Sequence, residues 1–206
     1  MIEKMSNYIL DNFLYKDEKV EGNEREIMLF GITRILEDIP KYTIIFLIGY
    51  FCNILQYMGI VLAITMMYKT FVGGVHARTN IACLIFSTIY FILPVFIAKY
   101  INVNIYLLTL VTFLLSLIVI WRIAPADTEE IPILKKAKRK KLKLIGLISL
   151  LVILSFNLLE IQDLYIQNII LITILNIDLC TTKLVYKFFK CKYSYESEEF
   201  KEYYNK

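Results

Sequence analysis

One stretch of the chain carries the residue types from which nucleophilic catalysis can be built. "GGVHARTNIAC", Gly73 to Cys83, holds the only histidine of 206 residues, and a cysteine follows it seven positions later. A thiol serves as a nucleophile near neutral pH when an imidazole within hydrogen-bond reach takes its proton, and the imidazolium then favours the thiolate. The spacing constrains how His76 and Cys83 could meet. On one straight helix they would share a face but stand ~10 Å apart along the axis, at ~1.5 Å per residue. The chain must therefore bend between them. Gly73-Gly74 permits backbone angles closed to other residues, and Thr79 or Asn80 is placed to cap a helix that starts at Ile81. Cys83 then falls in the first turn of that helix, where the dipole also favours a thiolate. By residue type alone, an interfacial histidine and a packed cysteine is the simpler reading of the pair.

The remaining thiols, Cys52, Cys180 and Cys191, form no C-x-x-C pair with each other or with Cys83. They read as small inert hydrophobes rather than as a disulfide framework or a zinc site. No cofactor and no metal is expected. Two residues stand as candidates for a third catalytic group. Asn80 lies one turn before Cys83 and is equally a plain helix cap. Asp178 lies within the last apolar run, and an acid there is a functional candidate by position. The neighbouring Thr181, Thr182 and Lys183 place it near the end of that run, where solvation is the simpler expectation.

The elements that must position these residues are written in the hydropathy. The chain is 58% hydrophobic and 14% aromatic, where an ordinary soluble domain is nearer ~45–50% apolar, and its mean hydropathy is +0.59. The excess is gathered into runs separated by charged stretches. The expected fold class is all-α: a polytopic helical membrane protein with amphipathic N-terminal helices, forming one integral membrane domain over 1–206. Residues 1–41 read as amphipathic helices, the second ending near Pro40. The N-terminus lacks the pattern of a cleavable signal. Residues 43–68 are one span or a hairpin, interrupted by Gly49, Asn53, Gln56 and Gly59. A catalytic loop over 69–80 leads into spans at 81–98, 105–121, 144–159 and 164–184. Between them lies the basic loop 122–143, and a charged tail covers 185–206. Neither an internal repeat nor a soluble domain is visible.

The densest positive cluster is Lys135–Lys143. By the positive-inside rule its loop is cytoplasmic. Counting spans in both directions then puts Gly73–Ile81 and the C-terminal tail on the same side, with the turns at 100–104 and 160–163 outside. The cluster serves as a topology determinant, or as an electrostatic contact to anionic lipid or an acidic peptide segment. A net charge of +4 gives no support to a nucleic-acid role.

The chain resembles the accessory gene regulator B (AgrB) family, membrane cysteine peptidases of Gram-positive quorum sensing. The resemblance rests on Gly-Gly-x-His-Ala with Cys seven after the His, which "GGVHARTNIAC" matches in full. It rests also on an Ala-Pro-containing loop leading into a basic run, matched by "APADTEEIPILKKAKRKKLK". The amphipathic start, the paired spans and the length agree over essentially the whole chain. The resemblance implies a cysteine endopeptidase with Cys83 as nucleophile and His76 as general base. Its substrate would be a small AgrD-type propeptide, cut at the cytoplasmic face of the cell membrane on the way to a cyclic thiolactone or lactone signal. The resemblance allows a homodimer, and the sequence itself does not set the oligomeric state. Two other classes stay open at this point: a transporter or exporter of a small peptide, and a non-catalytic membrane scaffold. Neither of these needs the His–Cys motif.

Overall fold

Apolar runs this long can satisfy their backbone groups inside a bilayer only by coiling into helices. A computed structural model describes residues 2–14, 23–75, 79–128 and 132–196. Among the described residues the protein is helical, with no strand, and the only extended pairings are isolated bridges, Gly73 with Ala126 and Thr128 with Tyr193. The chain divides into two compact units, residues 1–52 and 53–206.

In the first unit, α1 (Ile2–Ile9) runs into a π-helical turn (Leu10–Leu14), and α2 covers Asn23–Phe51. The two helices are tied by polar contacts. Thr33 Oγ1 donates to the buried Ser6 hydroxyl at 2.9 Å, and Arg25 reaches Asn7 at 3.2 Å and Asp11 at 3.0 Å. The expected stop at Pro40 does not occur. Pro40 removes one donor from the ladder, yet the helix carries through it to Phe51; Thr43 Oγ1 donates to the Ile39 carbonyl at 2.8 Å and Lys41 pairs with Asp38 along the same stretch. The stop falls instead at Cys52–Ile54, where Asn53 takes a left-handed conformation (φ 55°). Asn is the side chain other than glycine best suited to end a helix this way. Residues 43–68 are thus shared between the end of α2 and the next helix.

The second unit opens with α3 (Leu55–Ile64), a π-helical turn (Thr65–Lys69) and the short α4 (Thr70–Val72), a continuous helical rod. After it come α5 (Asn80–Ala98), α6 (Ile105–Arg122) and α7 (Lys136–Leu159). The rod and these three helices are each long and apolar enough to cross a membrane. The 17-residue α8 (Leu164–Cys180) packs against all of them and is the most enclosed element. Ile169, Leu171, Ile174 and Ile177 are fully buried along it. Its polar side chains repair neighbouring backbone. Pro94 inside α5 cannot donate to the Tyr90 carbonyl, and Asn176 Nδ2 donates to that oxygen instead, at 3.1 Å. Asn168 caps the end of the α5–α6 turn through the Ile101 carbonyl at 3.1 Å.

Three further boundaries differ from those expected on sequence grounds. The rod continues to Val72, so the loop before Cys83 begins at Gly73 rather than at residue 69. The helix containing 144–159 starts at Lys136, so most of the basic run is helical. The last span ends at Cys180, where Thr181 and Thr182 fold their hydroxyls back onto the Asp178 and Leu179 carbonyls at 2.6 and 2.7 Å. A short helix α9 (Lys183–Phe188) and a 3-10 turn (Ser194–Glu196) lie within the expected tail.

Candidate active site

The Gly73–Cys83 stretch leaves one helix and enters another, and its two ends are held in different ways. At the first end, Gly73 and Gly74 adopt φ angles of 86° and 146°, a region that side chains with a Cβ rarely enter. A Cβ on Gly73 would also run into the backbone of Ala126. The close approach is a short parallel pairing. Ala126 N–H donates to the Val72 carbonyl at 2.8 Å, and Gly74 N–H donates back to the Ala126 carbonyl at 2.9 Å. Val75 N–H then donates to the Cys180 carbonyl at 3.2 Å. The corner is therefore docked on the Ala-Pro loop after α6 and on the end of α8.

At the other end, Thr79 is extended (φ −113°, ψ 145°) and caps α5, its hydroxyl accepting from Ala82 N–H at 3.2 Å. Cys83 N–H makes the first bond of the helix, to the Thr79 carbonyl at 2.8 Å. Its thiol is partly exposed in the first turn, with Ser87 Oγ at 4.0 Å. The expected break between the glycines and α5, and the cap that starts α5, are both present. His76, Ala77 and Arg78 lie outside the described residues, as does the side chain of Asn80, and with them the His76–Cys83 separation and the candidacy of Asn80.

Sequence reasoning missed the parts that hold this corner. Val75, Ala126, Tyr186 and Tyr193 form a buried cluster. Tyr186 OH donates to the Ala126 carbonyl at 3.0 Å, and its ring stacks on Tyr193 at 4.0 Å. Burial, reinforced by Tyr193 and Asp127, pushes the Tyr186 phenol far above its ordinary range, so it stays a donor. Phe189 lies edge-on to Phe86 of α5 at 4.7 Å, one turn beyond Cys83. The tail thus touches the glycine end of the motif and, beyond its other end, the helix that carries Cys83. A run of aromatic residues in a segment otherwise read as charged and solvated was the available signal.

The basic run is also divided in its work. Lys135, Lys136, Lys138, Lys140 and Lys141 are exposed. Arg139 turns inward to the buried Asp127, at 2.8 Å, and also donates to the Pro125 carbonyl at 3.1 Å. The same Asp127 oxygen accepts from Ile133 N–H at 2.7 Å and from Ser194 Oγ at 2.5 Å. One arginine in a lysine run was the sequence signal, since its planar fork suits a buried carboxylate. Asp178, expected to be solvated, is instead buried. It accepts from Tyr68 OH at 2.9 Å and from Ser116 Oγ at 2.5 Å. None of the four cysteines is joined in a disulfide, and no cluster of metal-binding side chains occurs among the described residues.

Comparison with known proteins gives the corner and its supports a family context. The family model described as Accessory gene regulator B matches residues 2–184. A putative AgrB-like protein of Clostridium acetobutylicum is 31% identical over 143 residues, 69% of this chain and 68% of the relative. The accessory gene regulator protein B of Staphylococcus saprophyticus is 30% identical over 171 residues, 81% of this chain and 90% of the relative. A putative AgrB-like protein of Listeria innocua is 28% identical over 198 residues, 96% of this chain and 95% of the relative. No solved structure matches the chain. The match over nearly its whole length, with four helices able to cross a membrane, shows that this chain is a multi-pass membrane protein of the accessory gene regulator B family.

Proposed function

We propose that the chain is a membrane-embedded cysteine endopeptidase. It removes the C-terminal part of an AgrD-type propeptide at the cytoplasmic face of the cell membrane. Family membership supports a role in processing the quorum-sensing peptide of the accessory gene regulator system. The observation that carries the finer reading is the placement of Cys83. A partly exposed thiol occupies the first turn of a capped helix, and the chain leading to it is turned by two glycines at positive φ immediately before the sequence reaches His76. A buried inert cysteine needs neither the corner nor the cap.

In this reading His76 takes the Cys83 proton as the sulfur attacks the scissile carbonyl. The tetrahedral adduct collapses, the C–N bond breaks, and the imidazolium protonates the leaving amine. The product is a thioester between Cys83 and the N-terminal fragment. An internal thiol or hydroxyl of that fragment then attacks the thioester, closes the ring and returns the proton to the Cys83 sulfur. Thioester exchange is close to neutral, whereas forming a thioester from an amide is uphill, so removal of the cut fragment helps drive the sequence. The membrane edge limits the water that would hydrolyse the acyl-enzyme.

The exposed lysines of α7 support the cytoplasmic assignment through the positive-inside rule, and they offer an acidic fragment a nearby counter-charge. The test is co-expression with an epitope-tagged AgrD-type propeptide. Cys83→Ala and Cys83→Ser should leave it uncut, while Cys52→Ala and Cys191→Ala should process it. Normal processing by Cys83→Ala would sink the peptidase reading and leave an exporter in its place.

A further inference from the structure

Among the described residues, Asp178 is the one acid buried between membrane-spanning helices, and the proposed chemistry does not use it. Ionisable groups are costly at such a position and are retained for a reason. Its surroundings supply one. Each carboxylate oxygen receives a hydroxyl from a different helical element: Tyr68 from the π-helical turn of the first rod, at 2.9 Å, and Ser116 from α6, at 2.5 Å. The three side chains therefore tie α8, α6 and the rod together at one level, and all three are buried.

From each of these three residues the chain runs on directly to the glycine corner or to a group that holds it. Five residues after Tyr68 the rod gives way to Gly73. The turn after α6 delivers Ala126, whose N–H and carbonyl hold Val72 and Gly74 at 2.8 and 2.9 Å. Two residues after Asp178 comes Cys180, whose carbonyl holds Val75 at 3.2 Å. The Asp178 carbonyl is itself closed by Thr181, whose own carbonyl accepts from Tyr193 OH at 2.6 Å. Every element that fixes the backbone of Gly73–Val75 is thus registered against the others through one carboxylate. A neutral apolar residue could fill the same space, but it could not bring two hydroxyl donors from two helices to one point.

We propose that Asp178 is a positioning residue for propeptide cleavage: it sets the relative height of the rod, α6 and α8, and through them the Gly73–Val75 segment that leads into His76. The inference rests on the peptidase reading above. It assigns Asp178 no contact with the substrate. Misplacement of a catalytic group by about 1 Å costs on the order of 10²-fold in rate, and the effect belongs in kcat rather than in propeptide binding.

The experiment measures kcat and KM, per folded enzyme, for cleavage of a tagged AgrD-type propeptide in proteoliposomes. Asp178→Leu should lower kcat on the order of 10²-fold with KM little changed. Asp178→Asn, which still offers an acceptor, should recover most of that loss. A role in stability alone would reduce the yield or melting point of Asp178→Leu and leave its kcat at the wild-type value, and that result overturns the inference. Should Asp178→Leu fail to accumulate, Tyr68→Phe and Ser116→Ala decide, since each deletes one donor and little else. Lowered kcat at constant KM in both supports the assignment, and wild-type kcat in both refutes it. Cys83→Ala run beside them separates the two layers. If it cleaves, the peptidase reading fails and takes this inference with it. If it is inert while Asp178→Leu turns over normally, only the role of Asp178 falls.

Discussion

On one side of His76, Val72, Gly74 and Val75 find their backbone partners on the loop after α6 and at the end of α8. On the other side, Thr79–Cys83 is built from itself: a side-chain cap and the first bond of a helix. The glycine side exists only if distant elements dock on it, and it tolerates no Cβ at its tightest point. The cysteine side needs a threonine and a run of helix-forming residues. The contrast teaches where damage should register. Changes far away in sequence should act on the glycine side, whereas only local changes should disturb the nucleophile's turn.

The sharpest way to break this comparison is at Gly73. Gly73→Ala forces a Cβ into the Ala126 backbone at a positive φ. Cleavage of a tagged propeptide should fall by on the order of 10²-fold, while membrane insertion and expression stay unchanged. Activity near wild type would show that the docking of Ala126 on the corner is dispensable.

The next effect should come from outside the motif. Arg139→Gln removes the partner of a buried carboxylate that also holds Ile133 and Ser194. Breaking such a pair costs about 3–5 kcal/mol, here shared among the Ala-Pro loop, α7 and the tail. The melting point in detergent and the cleavage rate should both drop. Arg139→Lys should not restore them, because a point charge cannot reach Asp127 and the Pro125 carbonyl together. Full rescue by lysine would make Arg139 a plain member of the basic run.

The smallest effect belongs to the self-contained side. Thr79→Ala deletes the cap of α5 and should cost about 1 kcal/mol, seen as a severalfold loss of cleavage. Thr79→Ser or Thr79→Asp should recover it. A loss as deep as that of Gly73→Ala would erase the distinction between the two sides.

The fold class and the break before α5 were legible because they are local facts. Apolar runs, two adjacent glycines and a threonine before an apolar stretch each carry their meaning within a few residues. The stop at Asn53 was legible as a candidate among four interrupting residues, but which of them breaks the helix depends on backbone conformation. Pro40 misled for the reverse reason: the loss of one donor weakens a helix without having to end it, and α2 runs on through it. The supports of the corner were not legible. Ala126 acts through its backbone, which leaves no trace in residue type. Tyr186, Tyr193 and Phe189 sit in a tail whose charge pattern suggests solvent. Asp178 was visible as an acid in an apolar run, yet its burial depends on Tyr68 and Ser116 arriving from two other helices.

The most direct test of the peptidase reading is to trap the covalent intermediate. Purified enzyme in lipid would be mixed with an AgrD-type propeptide whose internal ring-closing cysteine is replaced by alanine, quenched in acid and measured by intact-protein mass spectrometry. The expected result is an adduct equal in mass to the N-terminal propeptide fragment less one water. It should map to Cys83, be discharged by hydroxylamine, and be absent in Cys83→Ala. Cleavage without any adduct at Cys83, or an adduct that persists in Cys83→Ala, would contradict it.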